Sequence, residues 1–262
     1  MIDIYMETER VYGFEPAIYG MRNSFNSWDK SDSCVCRLHH ENHCGDCPIA
    51  NSPDYDPEVS ACPEDDTTFV IGPEDLKLAK RLCKAGSGHA KFRRMMVVYI
   101  DICAPLYWWK EFDTYKVGTV TNSCSTMHTI DDKAFELLDF SCEKLIDKVQ
   151  NLIENDPESF DIEMQESYSV DAMKVVIEAL NHYRQLYLET KDKKYWWQLI
   201  QLLPSSFMQR RMVMLNYEVL AKIYQERVNH KLDEWKIFCD WVEKLPYADD
   251  LICINWWKNV GF

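Results

Sequence analysis

Apolar and polar positions change their period several times along this chain, and each change predicts an element. "MIDIYMETERVYGF" alternates weakly, as an edge strand does, and "EPAIYGMRN" fits a short helix. "GPEDLKLAKRLCKAG" predicts a helix: Pro73 sits in the first turn, Glu74 and Asp75 follow it, and Gly86 closes it. "KFRRMMVVYIDIC" is apolar and rich in β-branched residues, which predicts a buried strand ending before Ala104-Pro105. "PLYWWKEFDTY" opens on proline and spaces its aromatics three to four apart, which predicts a helix.

The second half reads as mostly helical. "DDKAFELLDFSCEKLIDKVQNLIEN", "VDAMKVVIEALNHYRQLYLET", "KKYWWQLIQLL" and "KLDEWKIFCDWVEKL" all carry apolar residues at helical spacing. The strongest pattern covers 206–228, where Met208, Met212, Leu215, Val219 and Ile223 form one stripe after a start signal at Pro204, Ser205 and Ser206. No internal repeat is present. The architecture implied is α+β, with a modest sheet in the first half and helices packed on it.

Two stretches break the pattern. Residues 111–128, "EFDTYKVGTVTNSCSTMH", hold four Thr and two Ser but almost no aliphatic core formers, directly behind Trp108-Trp109. Residues 29–67 lose all periodicity and concentrate five of the eleven Cys and three of the seven His. The chain therefore divides into 1–28, the start of the main domain; 29–67, a Cys/His-rich insertion; and 68–262, the rest of the main domain.

Composition narrows the function classes. With 262 residues and 47% hydrophobic content, one large domain can be built. A net charge of −14 argues against a nucleic-acid partner, which needs a basic face, but leaves room for a small anion held by local cations. No run of about 18 apolar residues exists, so no membrane helix is expected. The acidic start lacks a signal-peptide core, and the expected compartment is the cytoplasm. In that setting the cysteines are thiols or metal ligands.

The insertion reads Cys34-x-Cys36-x2-His39-His40-x2-His43-Cys44-x2-Cys47, with Cys62 beyond. A loop this polar has no core to fold around, and a four-coordinate zinc ion would supply the folding free energy. Cys34, Cys36, Cys44 and Cys47 make one ligand set; His39, His40, His43 or Cys62 could replace a member. The alternative is an acidic loop with incidental cysteines.

Asn216 and Arg227 lie eleven residues apart. On a continuous helix they would differ by about 20° around the axis and about 16 Å along it. They would then share a face and could grip the two polar ends of a flat ligand. The plainer alternative is a satisfied core amide and a solvated helix-end cation.

Two segments together resemble the flavin-dependent thymidylate synthases, the thymidylate synthase-complementing family. "FRRMMVVYIDICAPLYWWKEFDTYKVGTVTNSCSTMH" resembles that family's strand, Ala-Pro turn, helix and signature. "LLPSSFMQRRMVMLNYEVLAKIYQERVNHKLDEW" resembles its late Leu-Pro and long helix. The family's Arg-His-Arg falls on Thr114-Tyr115-Lys116, where only Lys116 keeps its counterpart's charge. The signature Ser falls on Cys124, its Arg-Tyr pair on Thr126-Met127, an acid on Asn122 and an upstream Gln on Glu111. The flavin-contacting Asn matches Asn216 and the nucleotide-binding Arg matches Arg227. The next His falls on Lys231, beside His230.

The resemblance implies a small antiparallel sheet with long packed helices, and a homotetramer with sites between subunits. It implies reductive methylation of dUMP to dTMP, using methylenetetrahydrofolate, with FAD carrying hydride from NADPH. Arg227, Lys116, Glu111, Asn122, Ser125 and Thr126 are then the expected nucleotide residues. Asn216, Thr114, Tyr115, Arg93, Arg94 and Lys231 are the expected flavin residues. Cys124 could add to C6 of the uracil ring as a nucleophile, or could simply fill the space of a Ser. The competing expectation is a nucleotide-binding protein without catalysis on the same scaffold.

Overall fold

The computed structural model describes residues 4–36, 68–146 and 168–254. The observed class is the expected one, mixed helix and strand with a small antiparallel sheet and packed helices. The elements are β1 (Tyr5–Tyr12), α1 (Phe14–Asn23), β2 (Cys34–Cys36), β3 (Thr68–Val70), α2 (Pro73–Lys84), β4 (Val97–Pro105), α3 (Leu106–Phe112), β5 (Val120–Ser123) and α4 (Thr126–Thr129). They continue as α5 (Tyr168–Thr190), α6 (Lys193–Leu202), β6 (Met208–Asn216), α7 (Tyr217–Arg227), α8 (Asp233–Glu243) and α9 (Ala248–Leu251).

Four strands form a sheet in the order β1-β4-β6-β5, so β1 is an edge strand as its weak alternation predicts. β2 and β3 pair separately and antiparallel, with Cys36 opposite Thr68, so the chain leaves and re-enters the described structure on adjacent strands.

Several sequence expectations are corrected. The apolar stripe over 206–228 is not one helix. Residues 208–216 are strand β6, and helix begins only at Tyr217. Burial shows why: Val213 and Leu215 are buried two apart, while Met212, on the supposed helical stripe, is exposed. Met, Leu and Arg all tolerate helix, so the local sequence does not oppose one. Ladder pairing with strands distant in sequence decides instead. The sheet is therefore not confined to the first half. The strand expected over 91–103 begins at Val97, and Lys91–Met95 form a 3-10 turn. The helix expected from Asp131 is, over its described part, a loop with one 3-10 turn at Leu137–Asp139.

The described residues divide into two compact units: those within 1–7, 101–114 and 121–213 in the first, and those within 8–100, 115–120 and 214–262 in the second. The first has a core of Ile130, Phe135, Phe140, Leu180 and Leu199, with Phe207 and Trp196 packed against it. Its helix α3 buries Trp108, Trp109 and Phe112, with the Trp108 and Phe112 rings stacked 5.0 Å apart. The second buries Tyr217, Leu220, Ile223, Trp235 and Phe238 completely. Each large side chain so buried contributes about 1.5–3 kcal/mol.

Polar groups also order the second unit. Asp32 accepts hydrogen bonds from the Glu74 and Asp75 amides at the start of α2, at 2.8 and 3.0 Å. Asp75, fully buried, accepts from Arg22 Nε, Ser31 Oγ and Ser33 Oγ, each at 2.6 Å. Burial alone would raise its carboxyl, but the Ser31, Ser33 and Arg22 hydrogen bonds prevail and hold it below the ordinary carboxylate value.

Candidate functional site

In the second unit, the candidate residues gather around α7. Asn216 ends β6 in an extended conformation, and its Oδ1 accepts from the Val219 amide at 3.0 Å. It is therefore the N-cap of α7, and the single-helix geometry expected for Asn216 and Arg227 does not hold. Gly118 has a φ of +82°, and a Cβ there would sit 2.7 Å from Asn216 Nδ2. Only glycine lets the backbone at 118 approach that amide in that conformation.

Arg227 is the last residue of α7. Its Nε donates to the Tyr115 hydroxyl at 2.9 Å, and that hydroxyl donates to Glu226 Oε2 at 2.8 Å. The guanidinium also lies 4.7 Å from the Trp235 ring centroid, a cation–π distance. Tyr115 is buried, and burial, followed by its bond to Glu226, pushes its phenol up to about 12 against the opposing pull of Arg227. The ring stays neutral and acts as a fixed donor and acceptor between an arginine and a carboxylate. His230 lies 6.2 Å from Trp235, and its Nδ1 accepts from the Leu232 amide. Lys116 and Lys231 are exposed.

Arg93 stands elsewhere in this unit, 3% exposed. It donates to Glu218 Oε2 through Nε and Nη2 at 2.9 and 2.6 Å, and to the Leu251 carbonyl through Nη1 at 2.8 Å. These bonds commit it to holding α7 and α9, whereas Arg94 is exposed.

In the first unit, β5 exposes all four of its residues, including Asn122. Beyond β5 the chain is anchored through its main chain and through the Thr126 and Thr129 hydroxyls. The Cys124 amide donates to the Arg210 carbonyl at 3.0 Å, and Gln209 Nε2 donates to the Cys124 carbonyl at 3.0 Å and to Thr126 Oγ1 at 3.2 Å. Cys124 is exposed, and its sulfur lies 3.8 Å from Thr129 Oγ1. A nucleophilic thiol needs an adjacent base, and among the described residues none is bonded to it. Ser125 and Thr126 are half-buried; Thr114 is exposed and donates to the Glu111 carbonyl at 2.7 Å.

Sequence reasoning missed Gln209 and Arg211. Arg211 stacks 4.1 Å over the Trp109 ring, donates to Gln209 Oε1 at 3.0 Å and pairs with Asp113 at 2.8 Å. Trp109 Nε1 in turn donates to the Gln209 carbonyl at 2.9 Å. Arg210 is bonded to Asp101 instead. The signal is the period-two spacing of 209 and 211, legible only once this stretch is read as a strand.

Of the proposed zinc ligands, Cys34 and Cys36 fall on β2; His39, His40, His43, Cys44, Cys47 and Cys62 lie outside the described residues. Among the described residues no cluster of His, Cys, Asp and Glu could hold a metal ion. No described helix is long and apolar enough to cross a membrane.

No protein-family model matches the chain, and no curated protein matches it in sequence. Solved structures do match in fold. Thymidylate synthase X (ThyX) from Helicobacter pylori with FAD and dUMP aligns over 95% of this chain and 97% of its own, at 13% identity and TM-score 0.55. A second structure of that flavin-dependent enzyme with FAD and dUMP aligns over 94% and 96%, also at 13% identity and TM-score 0.55. The UMP/dUMP methylase PolB from Streptomyces cacaoi, bound with 5-Br UMP, aligns over 96% and 91%, at 13% identity and TM-score 0.51. The fold of this chain is the one seen in the flavin-dependent thymidylate synthases.

Proposed function

We propose that this chain binds a uridine nucleotide and methylates it reductively, converting dUMP to dTMP with methylenetetrahydrofolate as carbon donor and FAD as cofactor. The observation carrying this reading is a fold likeness over almost the full length of structures whose ligands are FAD, dUMP and 5-Br UMP.

The second unit's donors fit an anionic dinucleotide. Asn216 Nδ2 makes no hydrogen bond among the described residues, and Lys116, Lys231 and Arg94 are exposed cations in a chain of net charge −14. These residues would hold the flavin, which supplies, when bound, the hydride that turns a one-carbon unit into a methyl group. In the first unit, the exposed Thr114 offers a hydroxyl. Tyr115 would act indirectly, by fixing Arg227 for the nucleotide phosphate. Arg93, already committed to Glu218 and Leu251, would support α7. In the first unit, Asn122, Ser125 and Thr126 offer neutral donors and acceptors suited to a uracil or ribose, with Glu111 close to Thr114 in the chain. We include self-association in this reading, because Val117, Val120 and Met127 are 90%, 61% and 54% exposed around β5. A structural zinc ion in 29–67 is part of it too, tested by metal analysis with and without residues 30–66.

The test is the visible spectrum of the purified protein with added FAD, with and without dUMP. A flavin band that shifts on adding dUMP is expected, followed by release of the C5 hydrogen from labelled dUMP during turnover. A protein that takes up no FAD would sink the flavin reading. One observation favours a second reading, nucleotide binding without turnover: Thr114-Tyr115-Lys116 presents a single cation, and the Tyr115 hydroxyl is already engaged. Binding of dUMP without FAD uptake or C5 hydrogen release would select it.

A further inference from the structure

The second unit carries a basic cleft that includes none of the candidate nucleotide or flavin residues. It has a volume of about 760 Å³ and is lined by Arg22, Phe25, Ser27 and Lys30 from α1 and the turn after it, and by Lys77 and Arg81 from α2, with Glu74 and Leu78 of the same helix beside them. A cleft of this size accommodates a small molecule. Its cations stand out in a chain with 43 acidic and 29 basic residues. Lys30 and Arg81 pair with no carboxylate among the described residues, and Lys77 has only Glu74, the one carboxylate in the lining, at 3.7 Å.

Exposed lysines and arginines alone would be an ordinary solvated helix face. Two buried side chains lining the cleft say otherwise. Ser27 is 7% exposed, and its Oγ has no hydrogen-bond partner among the described residues. A buried hydroxyl left unbonded is costly, and in native proteins calls for an explanation. Arg22 is also 7% exposed; Asp75 takes its Nε and the Lys30 carbonyl its Nη2 at 3.0 Å, so Nη1 is left out of both bonds. The same cations continue along the helix. A neighbouring cleft of about 520 Å³ shares Lys77 and Arg81 and adds Lys80 and Lys84.

We propose that this cleft is an anion site that takes the phosphate group of a small molecule. Lys30, Lys77 and Arg81 supply charge, Arg22 Nη1 and Ser27 Oγ supply directed donors, and the half-exposed Phe25 ring offers a flat surface to whatever carries the phosphate. A tetrahedral dianion uses several such donors at once, whereas a carboxylate uses fewer. A long nucleic acid would be repelled by the rest of the acidic chain.

The experiment is titration calorimetry of the whole protein with inorganic phosphate and with AMP, at low salt. Binding that persists in Arg227→Gln is expected, weakened by added salt. Replacing both cations, Lys77→Gln with Arg81→Gln, should lower affinity about tenfold or more, and Ser27→Ala about threefold. Both cations are exposed, so an unchanged thermal melt should accompany the loss. Arg227→Gln should leave this binding intact, which separates it from the proposed uridine nucleotide site. Binding of phosphate with none of AMP assigns the cleft to the free ion; AMP at least as tight assigns it to a carried phosphate. No heat with either probe, wild-type affinity in the double variant, or loss in an Arg227→Gln variant that melts like the wild type would each overturn the site.

Discussion

β5 with the residue that follows it and the corner around Arg227 both stand out in the sequence, yet they are built by opposite means. Residues 120–124 expose their side chains and are held by main-chain bonds to β6 and by one amide, Gln209. Tyr115 and Trp235 are buried, and they fix Arg227 through side-chain bonds and ring contacts. The difference teaches where substitutions act. In the first region side chains can change with little effect on folding, so they are free to serve a ligand. In the second, the groups that would serve a ligand also hold the unit together.

The largest expected effect tests that second claim. Trp235→Ala removes a fully buried ring and should lose ~3–5 kcal/mol of stability in urea unfolding. A loss under about 1 kcal/mol would mean the corner is not a packed structure.

Next comes the buried carboxylate of α2, another side-chain-built feature of the same unit. Its folded value lies below its unfolded one, so the stability it adds is present above the unfolded value and fades as pH falls through the folded value. Melting temperature should therefore drop as pH falls below about 4. Asp75→Asn should be less stable at neutral pH and show a shallower acid dependence. An unchanged acid slope would remove Asp75 as its source.

Tyr115→Phe keeps the ring and deletes the hydroxyl between Arg227 and Glu226. The expected cost is ~1–3 kcal/mol, with weaker dUMP binding if Arg227 meets the nucleotide. A stable variant with unchanged dUMP affinity would uncouple Tyr115 from any site.

The smallest effects on stability belong to the exposed region. Gln209→Ala should cost ~1 kcal/mol by releasing the Cys124 carbonyl and Thr126. Asn122→Ala should change stability by no more than about 0.5 kcal/mol while weakening the nucleotide. If Asn122→Ala instead unfolds the protein, the contrast between the two regions fails.

Much of the architecture is legible in the sequence because its signals are local. Pro73 and the acids behind it start α2, the aromatic spacing after Pro105 gives α3, and the long apolar repeat of 170–190 gives α5. Asn216 and Arg227 are legible as the two ends of one feature, but in a different geometry. An Asn before a helix caps it, and the residues before that Asn belong to a strand. The roles of Gln209, Arg211 and Arg93 are hidden, because each depends on a partner set by strand pairing or packing far away in sequence.

By itself, the sequence determined the class of fold, most helix starts, the edge position of β1 and the two places where polar groups interrupt an apolar chain. These come from periodicity, proline geometry and capping, which act within a few residues. Tertiary structure alone decided that 208–216 is a strand, that Arg93 is a buried brace while Arg227 stacks on Trp235, and that the Ser27 hydroxyl, in a basic cleft, has no partner among the described residues. Those outcomes depend on which distant groups satisfy each backbone and side-chain bond, and that choice is made only when the chain closes on itself.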